Sequence, residues 1–214
     1  ALYVQGRLPE SKHLHVAVVG SRAASLYGLR VTERVSRDLA ASGAVVVSGL
    51  ALGIDTAAHT GALAAKGLTI AVLGGGLSRL YPSENKKLAA RITENGALVS
   101  EYPMEMWPEK GFFPVRNRII SGLSRAVLVA EAREKSGALI TADQALEQGK
   151  DVFALPGQAD SSKAVGSNRL IKQGARFITD AEDILQEYKL ALRKSRSKAR
   201  ELAEGRSSTT STFA

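Results

Sequence analysis

The segment "KGFFPVRNR" combines side chains that can bind a nucleic acid. Phe112 and Phe113 stand side by side here, although aromatic residues make up only 5% of the chain. Lys110 precedes them, and Arg116 and Arg118 follow. An exposed ring can stack on any base while neighbouring cations hold the phosphate backbone. The alternative, a pair of loop phenylalanines that fills a gap in the hydrophobic core, is left open by these residues alone.

The backbone around the two rings is predicted to be a loop. Gly111 and Pro114 disfavour a long regular element through this segment. The apolar pattern then predicts a helix over 115–124. Adjacent side chains in a loop commonly point in different directions, so we expect one ring to lie in the core and the other to face a ligand.

Glycine and serine recur where predicted strands end. Glycine lets the backbone approach a phosphate, serine donates a hydrogen bond, and arginine offers a planar fork of donors. The turn after the first strand does not match G-x-G-x-x-G, which disfavours a dinucleotide cofactor. The strand-end groups are Gly20-Ser21-Arg22, Ser48-Gly49, Gly74-Gly75-Gly76 and Ser136-Gly137. Together they predict an anion-binding rim longer than a single nucleotide requires.

The turns belong to a regular alternation of strands and helices. Strands are predicted at 14–20, 44–49, 68–76, 97–102, 125–132, 150–157 and 175–179. Helices are predicted at 28–43, 53–67, 82–96, 115–124, 136–149 and 167–174. Continuous apolar strands separated by helices indicate a parallel sheet covered on both faces. The predicted fold is therefore α/β, a Rossmann-like doubly wound, mostly parallel sheet, whose ligands bind beyond the carboxyl ends of the strands.

Residue patterns typical of catalysis are weak. Asp55 and His59 are four residues apart on one predicted helix, but no third ligand or base follows at a suitable spacing. We expect Asp55 to be a helix-start residue and His59 to be a packed imidazole. Glu101 and Glu131 follow strands, where a carboxylate could act as a general acid or, as we favour, orient neighbouring arginines. No catalytic residue, metal site or cofactor is predicted.

The net charge of +8 is unevenly distributed. Residues 189–214 hold seven Lys or Arg and two Glu, a net charge of +5, which leaves a net charge of +3 for residues 1–188. We expect residues 1–188 to form the binding domain and 189–214 a basic helical or disordered tail. Because the domain is nearly balanced, its anion binding must come from local clustering.

The composition also bears on location. The chain has no cysteine, which excludes disulfides and thiolate zinc sites. No apolar run approaches the roughly 18–20 residues that span a membrane, and no signal peptide is visible. We therefore expect a cytoplasmic protein without membrane contact.

Six stretches, taken in order, resemble the DNA-processing protein A (DprA/Smf) family. They are "VAVVGSRAASLYG", "SGLALGIDTAAHTGAL", "TIAVLGGGLSRLYPSEN", "FFPVRNRIISGLSRAVLVAEAREKSGALITA", "DVFALPG" and "SNRLIKQGA". The resemblance implies a Rossmann-like domain that binds single-stranded DNA and forms a homodimer. It further implies delivery of incoming strands to the RecA recombinase in natural transformation, without an established catalytic activity.

The resemblance also implies which residues contact DNA. By motif match, they are Arg22, Lys110, Phe113, Arg116 and Arg118. With the strand-end residues, the predicted DNA-binding site also includes Gly20, Ser21, Ser136 and Gly137. The match gives the base-stacking role to Phe113, which leaves Phe112 as the ring expected in the core. Leu52 stands where the family often has Arg or Lys, which would thin the positive rim at that turn.

Two other functions remain as alternatives. The first is a nucleotide- or nucleoside-processing hydrolase on a related scaffold, although "SGALITADQALE" lacks the glycine cluster of the phosphoribohydrolase signature P-G-G-x-G-T-x-x-E. The second is a scaffold that acts only through protein partners, with the Phe pair in an interface. Binding of single strands at low salt would distinguish these from a DNA-binding domain.

Overall fold

The computed structural model describes residues 1–189. Residues 1–179 form one compact unit, and a second unit begins at residue 180, where residues 181–189 are helical. The tail predicted over 189–214 lies outside the described residues apart from its first position.

An eight-stranded sheet forms the centre of this unit. Its strands are β1 (Tyr3–Gly6), β2 (His15–Val19), β3 (Val45–Ser48), β4 (Thr69–Leu73), β5 (Gly96–Ser100), β6 (Ala126–Val129), β7 (Asp151–Ala154) and β8 (Arg176–Phe177). They are arranged in the order β1-β5-β4-β3-β2-β6-β7-β8, and every pair is parallel except β1 with β5. The predicted α/β, mostly parallel sheet is confirmed.

Helices cover both faces of the sheet. They are α1 (Leu26–Ala41), α2 (Ile54–Ala64), α3 (Lys86–Glu94), α4 (Phe112–Gly122), α5 (Gly137–Glu147) and α6 (Val165–Lys172), with a short 3-10 turn at Ser83–Asn85. Successive residues of a strand point to opposite faces. On β4, Ile70 and Val72 accordingly pack in a core with residues of α4–α6, whereas Ala71 and Leu73 pack with residues of α2 and α3.

The strand order places a crevice beside β2. The chain passes from β2 through β3 and β4 to β5 on one side, and then returns to the other side of β2 with β6, β7 and β8. At such a switch point the neighbouring turns diverge above the sheet and leave an opening at the carboxyl ends of the strands. The turns after β2 and β6 border this opening.

Two local predictions differ from the structure. The edge strand β1 was not predicted, because it is only four residues long and all four are exposed, so it carries no alternating apolar pattern. The predicted loop at Phe112, Phe113 and Pro114 is instead the first turn of α4. A proline is tolerated there because the first N–H groups of a helix have no helical acceptor.

Candidate nucleic-acid interface

A cleft of about 780 Å³ lies at the carboxyl ends of the central strands. It brings together residues from the turns after β2 and β6, the first turns of α4 and α5, and the segment before α4. Its charged lining residues are Arg22, Lys110, Arg116, Arg133, Lys135 and Asp55. Five cations and one carboxylate give the cleft a local excess of four positive charges.

The turn after β2 presents Arg22 to the cleft. Ser21 is buried, donates its N–H to the Glu131 carbonyl at 2.7 Å and accepts a hydrogen bond from the Ala23 N–H at 3.2 Å. Arg22 is exposed, and within residues 1–189 no carboxylate forms an ion pair with it. The turn is therefore fixed by its backbone, while its guanidinium is free to bind an external anion.

Gly20 is required at this turn by packing. A Cβ atom there would lie 2.6 Å from Ile54 Cγ1 and 2.8 Å from the Glu131 carbonyl oxygen. These distances are shorter than any ordinary van der Waals contact. The glycine thus allows the start of α2 to approach the end of β2, which is a different reason from the close phosphate approach that the sequence suggested.

Arg116 and Asp55 are two buried, opposite charges beneath the cleft that interact electrostatically. Arg116 is only 4% exposed and donates to the carbonyl oxygens of Gly49, at 2.8 Å, and Val72. Asp55 is 7% exposed and accepts hydrogen bonds from the N–H groups of Gly49 and Ala51. The expectation that Arg116 itself follows a phosphate backbone does not fit this placement, because its guanidinium is committed to the protein interior.

The electrostatics of the pair follow from its burial. Burial lowers the pKa of Arg116 to about 10, and the Asp55 carboxylate acts against that change. Burial raises the pKa of Asp55, while the Arg116 guanidinium and the amide donors of Ala51 and Gly49 oppose the rise. Each group therefore offsets part of the cost of burying the other.

Phe113 is the ring that faces the cleft. Its centroid lies 5.1 Å from Arg22 Cζ and 5.9 Å from Arg116 Cζ. Tyr81, which also lines the cleft, is tilted against it with centroids 5.8 Å apart. Phe113 rests on Gly74, where a Cβ atom would come within 2.8 Å of the ring. The ring is half-buried, held from below by backbone and flanked by an exposed guanidinium.

Phe112 points away from the cleft but not into the core. It stacks on Tyr102, with ring centroids 4.2 Å apart and planes 19° from parallel, and it stays half-buried. The expectation that this ring lies in the core is wrong. The two rings point in different directions because successive positions on a helix are about 100° apart, and not because the backbone is an irregular loop.

Arg118 is held outside the cleft by a carboxylate. Its Nη2 lies 2.5 Å from both carboxylate oxygens of Glu101, and both side chains are partly exposed. Glu101 thus orients an arginine, as expected. Glu131 does not: it is buried and accepts hydrogen bonds from the N–H and Oγ of Ser25. Since Ser25 caps α1, Glu131 ties β6 to the start of that helix.

The turn after β6 adds cations that the sequence analysis did not name. Ser136 caps α5 by accepting a hydrogen bond from the Ala138 N–H, and the adjoining Gly137 is open to solvent. Arg133 and Lys135, in the same turn, line the cleft. The stretch "EAREKSG" could have indicated these cations. They stand shortly before a serine that caps a helix, which is also the arrangement in the turn after β2.

The glycine run at the end of β4 does not contribute to the opening. Gly76 donates its N–H to the Met106 carbonyl at 2.8 Å, and Cβ atoms on Gly75 and Gly76 would collide with Pro108 and Met104. The segment 103–108 therefore covers this strand end. The anion-binding rim is shorter than predicted and is formed mainly by the turns after β2 and β6.

His59 is fully buried, which fits the expected packed imidazole. Its Nδ1 lies 2.8 Å from Thr69 Oγ1, and Thr69 donates its own proton to the Val46 carbonyl. Nδ1 must therefore be the protonated nitrogen, which leaves Nε2 as a buried acceptor with no partner within residues 1–189. Burial and the nearby Arg116 cation lower the pKa of His59 to about 3.

This arrangement predicts acid sensitivity. An unfolded histidine takes up a proton near pH 6.5, whereas His59 in the folded chain stays neutral until about pH 3. Protons therefore favour the unfolded state, and the free energy of unfolding should fall as pH drops below 6.5, by up to about 1.4 kcal/mol per unit. The free energy of unfolding can be measured in urea at pH 7, 6 and 5. His59→Gln should lower it at pH 7, but its decrease between pH 7 and pH 5 should be smaller than in the wild type.

A variant at a second histidine serves as the control for His59→Gln. The pKa of His15 is also lowered, so part of the decline will persist in every variant. His13→Gln, at a ring near the surface that bonds the Gly43 carbonyl, should retain most of the wild-type decline, because His59 is unchanged and only the smaller of the two causes that lower the pKa of His15, the His13 charge, is removed. If His59→Gln declines as steeply as the wild type, the buried neutral imidazole is not the source.

Side-chain clusters and helix lengths within residues 1–189 bear on two other classes of site. No three histidine or acidic side chains come together there in a way that could hold a metal ion. No helix in this part of the chain is both long and apolar enough to cross a lipid bilayer.

Known proteins resemble this chain in sequence and in structure. The DNA processing protein DprA of Bacillus subtilis is 48% identical over 177 residues, which are 83% of this chain and 60% of that protein. The X-ray structure of DNA processing protein A from Streptococcus pneumoniae superposes with a TM-score of 0.82 at 47% identity, over 87% of this chain and 65% of the other. This chain thus spans less than two thirds of either relative.

A second solved structure describes a single-stranded DNA binding mode. It is DNA processing protein A from Helicobacter pylori, with a TM-score of 0.79, 34% identity and coverage of 89% of this chain and 87% of the other. The sequence model of the family described as DNA recombination-mediator protein A matches residues 1–189. The resemblance drawn from the six motifs is thereby confirmed, and the chain belongs to the DNA recombination-mediator protein A family.

Proposed function

We propose that residues 1–189 bind single-stranded DNA without sequence preference, in the cleft beside β2. The observation that carries this proposal is the position of Phe113, a half-buried ring in the cleft with the Arg22 guanidinium 5.1 Å from its centroid. A base can stack on the ring, and the adjacent guanidinium can donate hydrogen bonds to the phosphate attached to that base. The single-strand binding mode described for the Helicobacter pylori relative supports the same ligand.

The cations are distributed to follow a strand rather than to enclose one phosphate. Arg22 stands after β2, Lys110 before α4, and Arg133 and Lys135 after β6, all on the lining of one cleft. A polyanion can contact several of these at once and release a counterion at each contact. A compact nucleotide would reach fewer of them, so the arrangement favours a chain of phosphates.

The aromatic contact favours a single strand over a duplex. Bases in a duplex already stack on their neighbours, so a ring fixed in a cleft can reach only a base that is unpaired and turned outward. Stacking uses the face that every base has, and backbone cations do not read base edges. A domain that accepts any strand requires this combination.

Binding rather than turnover is proposed because the cleft offers little to a hydrolase. Among the described residues that line it, the single carboxylate is Asp55. Asp55 is buried and engaged with Arg116 and two backbone N–H groups. It is poorly placed to take a proton from water. Cleavage of a nucleotide by the purified chain would instead favour the hydrolase alternative.

The wider role proposed here is that of a recombination mediator. The family description supports transfer of the bound strand to a recombinase, for which we propose RecA, after uptake of DNA in natural transformation. Protection of the incoming strand and a homodimeric, cytoplasmic protein belong to the same proposal. A strand bound along an open cleft stays accessible from solvent, which is the arrangement that a handover requires.

The first test concerns the phosphate contact. Arg22→Ala should weaken single-strand binding and reduce the slope of log affinity against log salt by about 0.7, because one phosphate contact on a single strand is lost. Fluorescence anisotropy with a labelled oligonucleotide at several salt concentrations measures both quantities.

Arg91→Ala provides the matched control. Arg91 is an exposed arginine on α3 that does not line the cleft, so its removal changes the net charge equally. An equal loss of slope in both variants would mean that overall charge, and not the Arg22 site, governs binding.

The second test separates the two rings. Phe113→Ala should reduce single-strand affinity by about 1–3 kcal/mol, the usual value for one stacked base. Phe112→Ala removes the stacked pair with Tyr102 and should lower stability by at least the 0.5–1.5 kcal/mol typical of such pairs, with a small effect on binding. Anisotropy and thermal melting on the same preparations give both readings. Normal binding by folded Phe113→Ala would reject the stacking site.

The third test concerns the recombinase. The wild-type chain should increase RecA-dependent strand exchange on single-stranded DNA, because it delivers bound strands to the filament. Phe113→Ala should give less stimulation at subsaturating DNA and recover at saturating DNA. If the wild type binds DNA but does not stimulate strand exchange at any concentration, the proposed transfer of the strand to RecA is wrong. The proposed DNA-binding site is not affected by that result.

A further inference from the structure

We propose that Trp107 forms a second stacking position, outside the cleft, for a base of the same DNA strand. This inference rests on the proposed single-strand binding and adds to it the path by which the strand leaves the cleft. Trp107 is the only tryptophan of the chain and is 66% exposed. A large apolar ring with this exposure is available to a ligand.

The indole is oriented by an arginine. Arg79 Cζ lies 4.6 Å from the centroid of the Trp107 ring, and Arg79 Nη2 forms an ion pair with Glu105 at 2.7 Å. A guanidinium over one face limits rotation of the indole. Since the residue is still two-thirds exposed, its opposite face must be in contact with solvent.

The backbone that carries Trp107 is fixed to the sheet. Gly76 donates its N–H to the Met106 carbonyl at 2.8 Å, and Ser78 donates to the Met104 carbonyl at 3.0 Å. Pro108 lies directly against Gly75, where no Cβ atom could be accommodated without contact at 3.0 Å. The ring is therefore carried by a backbone segment that is fixed in place. Less conformational entropy is then lost when a base binds to the ring.

The backbone segment that carries Trp107 is continuous with the cleft. Pro108, the next residue after Trp107, lines the cleft, and so does Tyr81, two residues after Arg79. Tyr81 also contacts Phe113, with ring centroids 5.8 Å apart. Tyr81 thus connects the Phe113 ring to the segment whose Arg79 contacts Trp107. A strand whose base stacks on Phe113 meets Trp107 when it leaves the cleft on this side.

The local charges favour a base over a phosphate at this position. The Arg79 cation is paired with Glu105, so little net charge remains beside the indole. Lys110, three residues after Trp107, lines the cleft and is placed for the phosphate between the two stacked bases. The exposed side chains of Met104 and Met106 add apolar surface around the ring. The ligand class is therefore an unpaired nucleobase of a strand already held in the cleft.

The intrinsic fluorescence of the chain tests this directly, because Trp107 is the only tryptophan. Oligothymidylates of about 4 and about 16 nucleotides, which bracket common single-strand site sizes, are titrated into the full chain. The longer oligonucleotide should quench the fluorescence, since a stacked base quenches an indole. The shorter one should bind through the cleft with little quenching. Trp107→Ala should weaken binding of the longer oligonucleotide about fivefold or more and leave the shorter one unchanged.

Controls separate a specific contact from loss of fold. Trp107→Phe retains a ring and should recover most of the affinity for the longer oligonucleotide. Thermal melting should be close to wild type for both variants, because the replaced side chain is exposed. Phe113→Ala should weaken both oligonucleotides, which identifies the cleft as the shared contact.

Two results would overturn the inference. Equal affinities of wild type and Trp107→Ala for the longer oligonucleotide, without quenching, would place the strand elsewhere. A fluorescence change on raising the protein concentration without DNA would mean that a second copy of the chain covers the indole. If the wild type binds neither oligonucleotide, the proposed function itself fails, and this outcome is distinct from the other two.

Discussion

The buried pair of Arg116 and Asp55 is the interaction on which the cleft depends. Arg116 reaches from α4 to carbonyl groups at the ends of β3 and β4, and Asp55 binds the N–H groups of the turn after β3. The pair thereby joins two helices to two strand ends at one point. Such a pair adds little stability compared with apolar packing, but removal of one member leaves an uncompensated buried charge that costs about 3–5 kcal/mol. Its effect is to fix where α4 begins, and Phe113 lies in that first turn.

This constraint divides the cations of the site into two groups. Arg116 is bonded to the protein and holds the scaffold, whereas Arg22 is exposed and has no ion-pair partner within residues 1–189. A phosphate that approaches the cleft therefore encounters a preformed ring and a free guanidinium, supported by a second guanidinium 5.9 Å below the ring. The ligand does not have to compete with a protein carboxylate for Arg22. Preorganised donors of this kind reduce the ordering cost of binding.

The sequence predicted the sheet, most of its helices and the edge where the cleft lies, because these follow from local apolar patterns and strand order. It could not assign the arginines of "RNR". Residues two apart on a helix point to nearly opposite sides, so one of Arg116 and Arg118 had to face inward, and only the tertiary structure decides which. The glycines are similar: Gly20 and Gly74–Gly76 have the same local pattern, yet Gly20 borders the opening, Gly74 lies against the Phe113 ring, and the other two are covered by 103–108. When a distant segment packs over a strand end, the residues of that strand end do not show it in their own sequence pattern.

Arg118 lies outside the cleft but is still available to the DNA strand that we propose the cleft binds. Its partner Glu101 is partly exposed, and ion pairs in such positions contribute about 0–1 kcal/mol because water screens them and both side chains lose freedom. A phosphate could replace that carboxylate at small cost, while displacement of Asp55 from Arg116 would expose a buried charge. The two arginines of one motif therefore differ in what a DNA strand can reach. Under the proposed function, the strand recruits Arg118 at the surface and depends on Arg116 only through the scaffold that Arg116 holds in place.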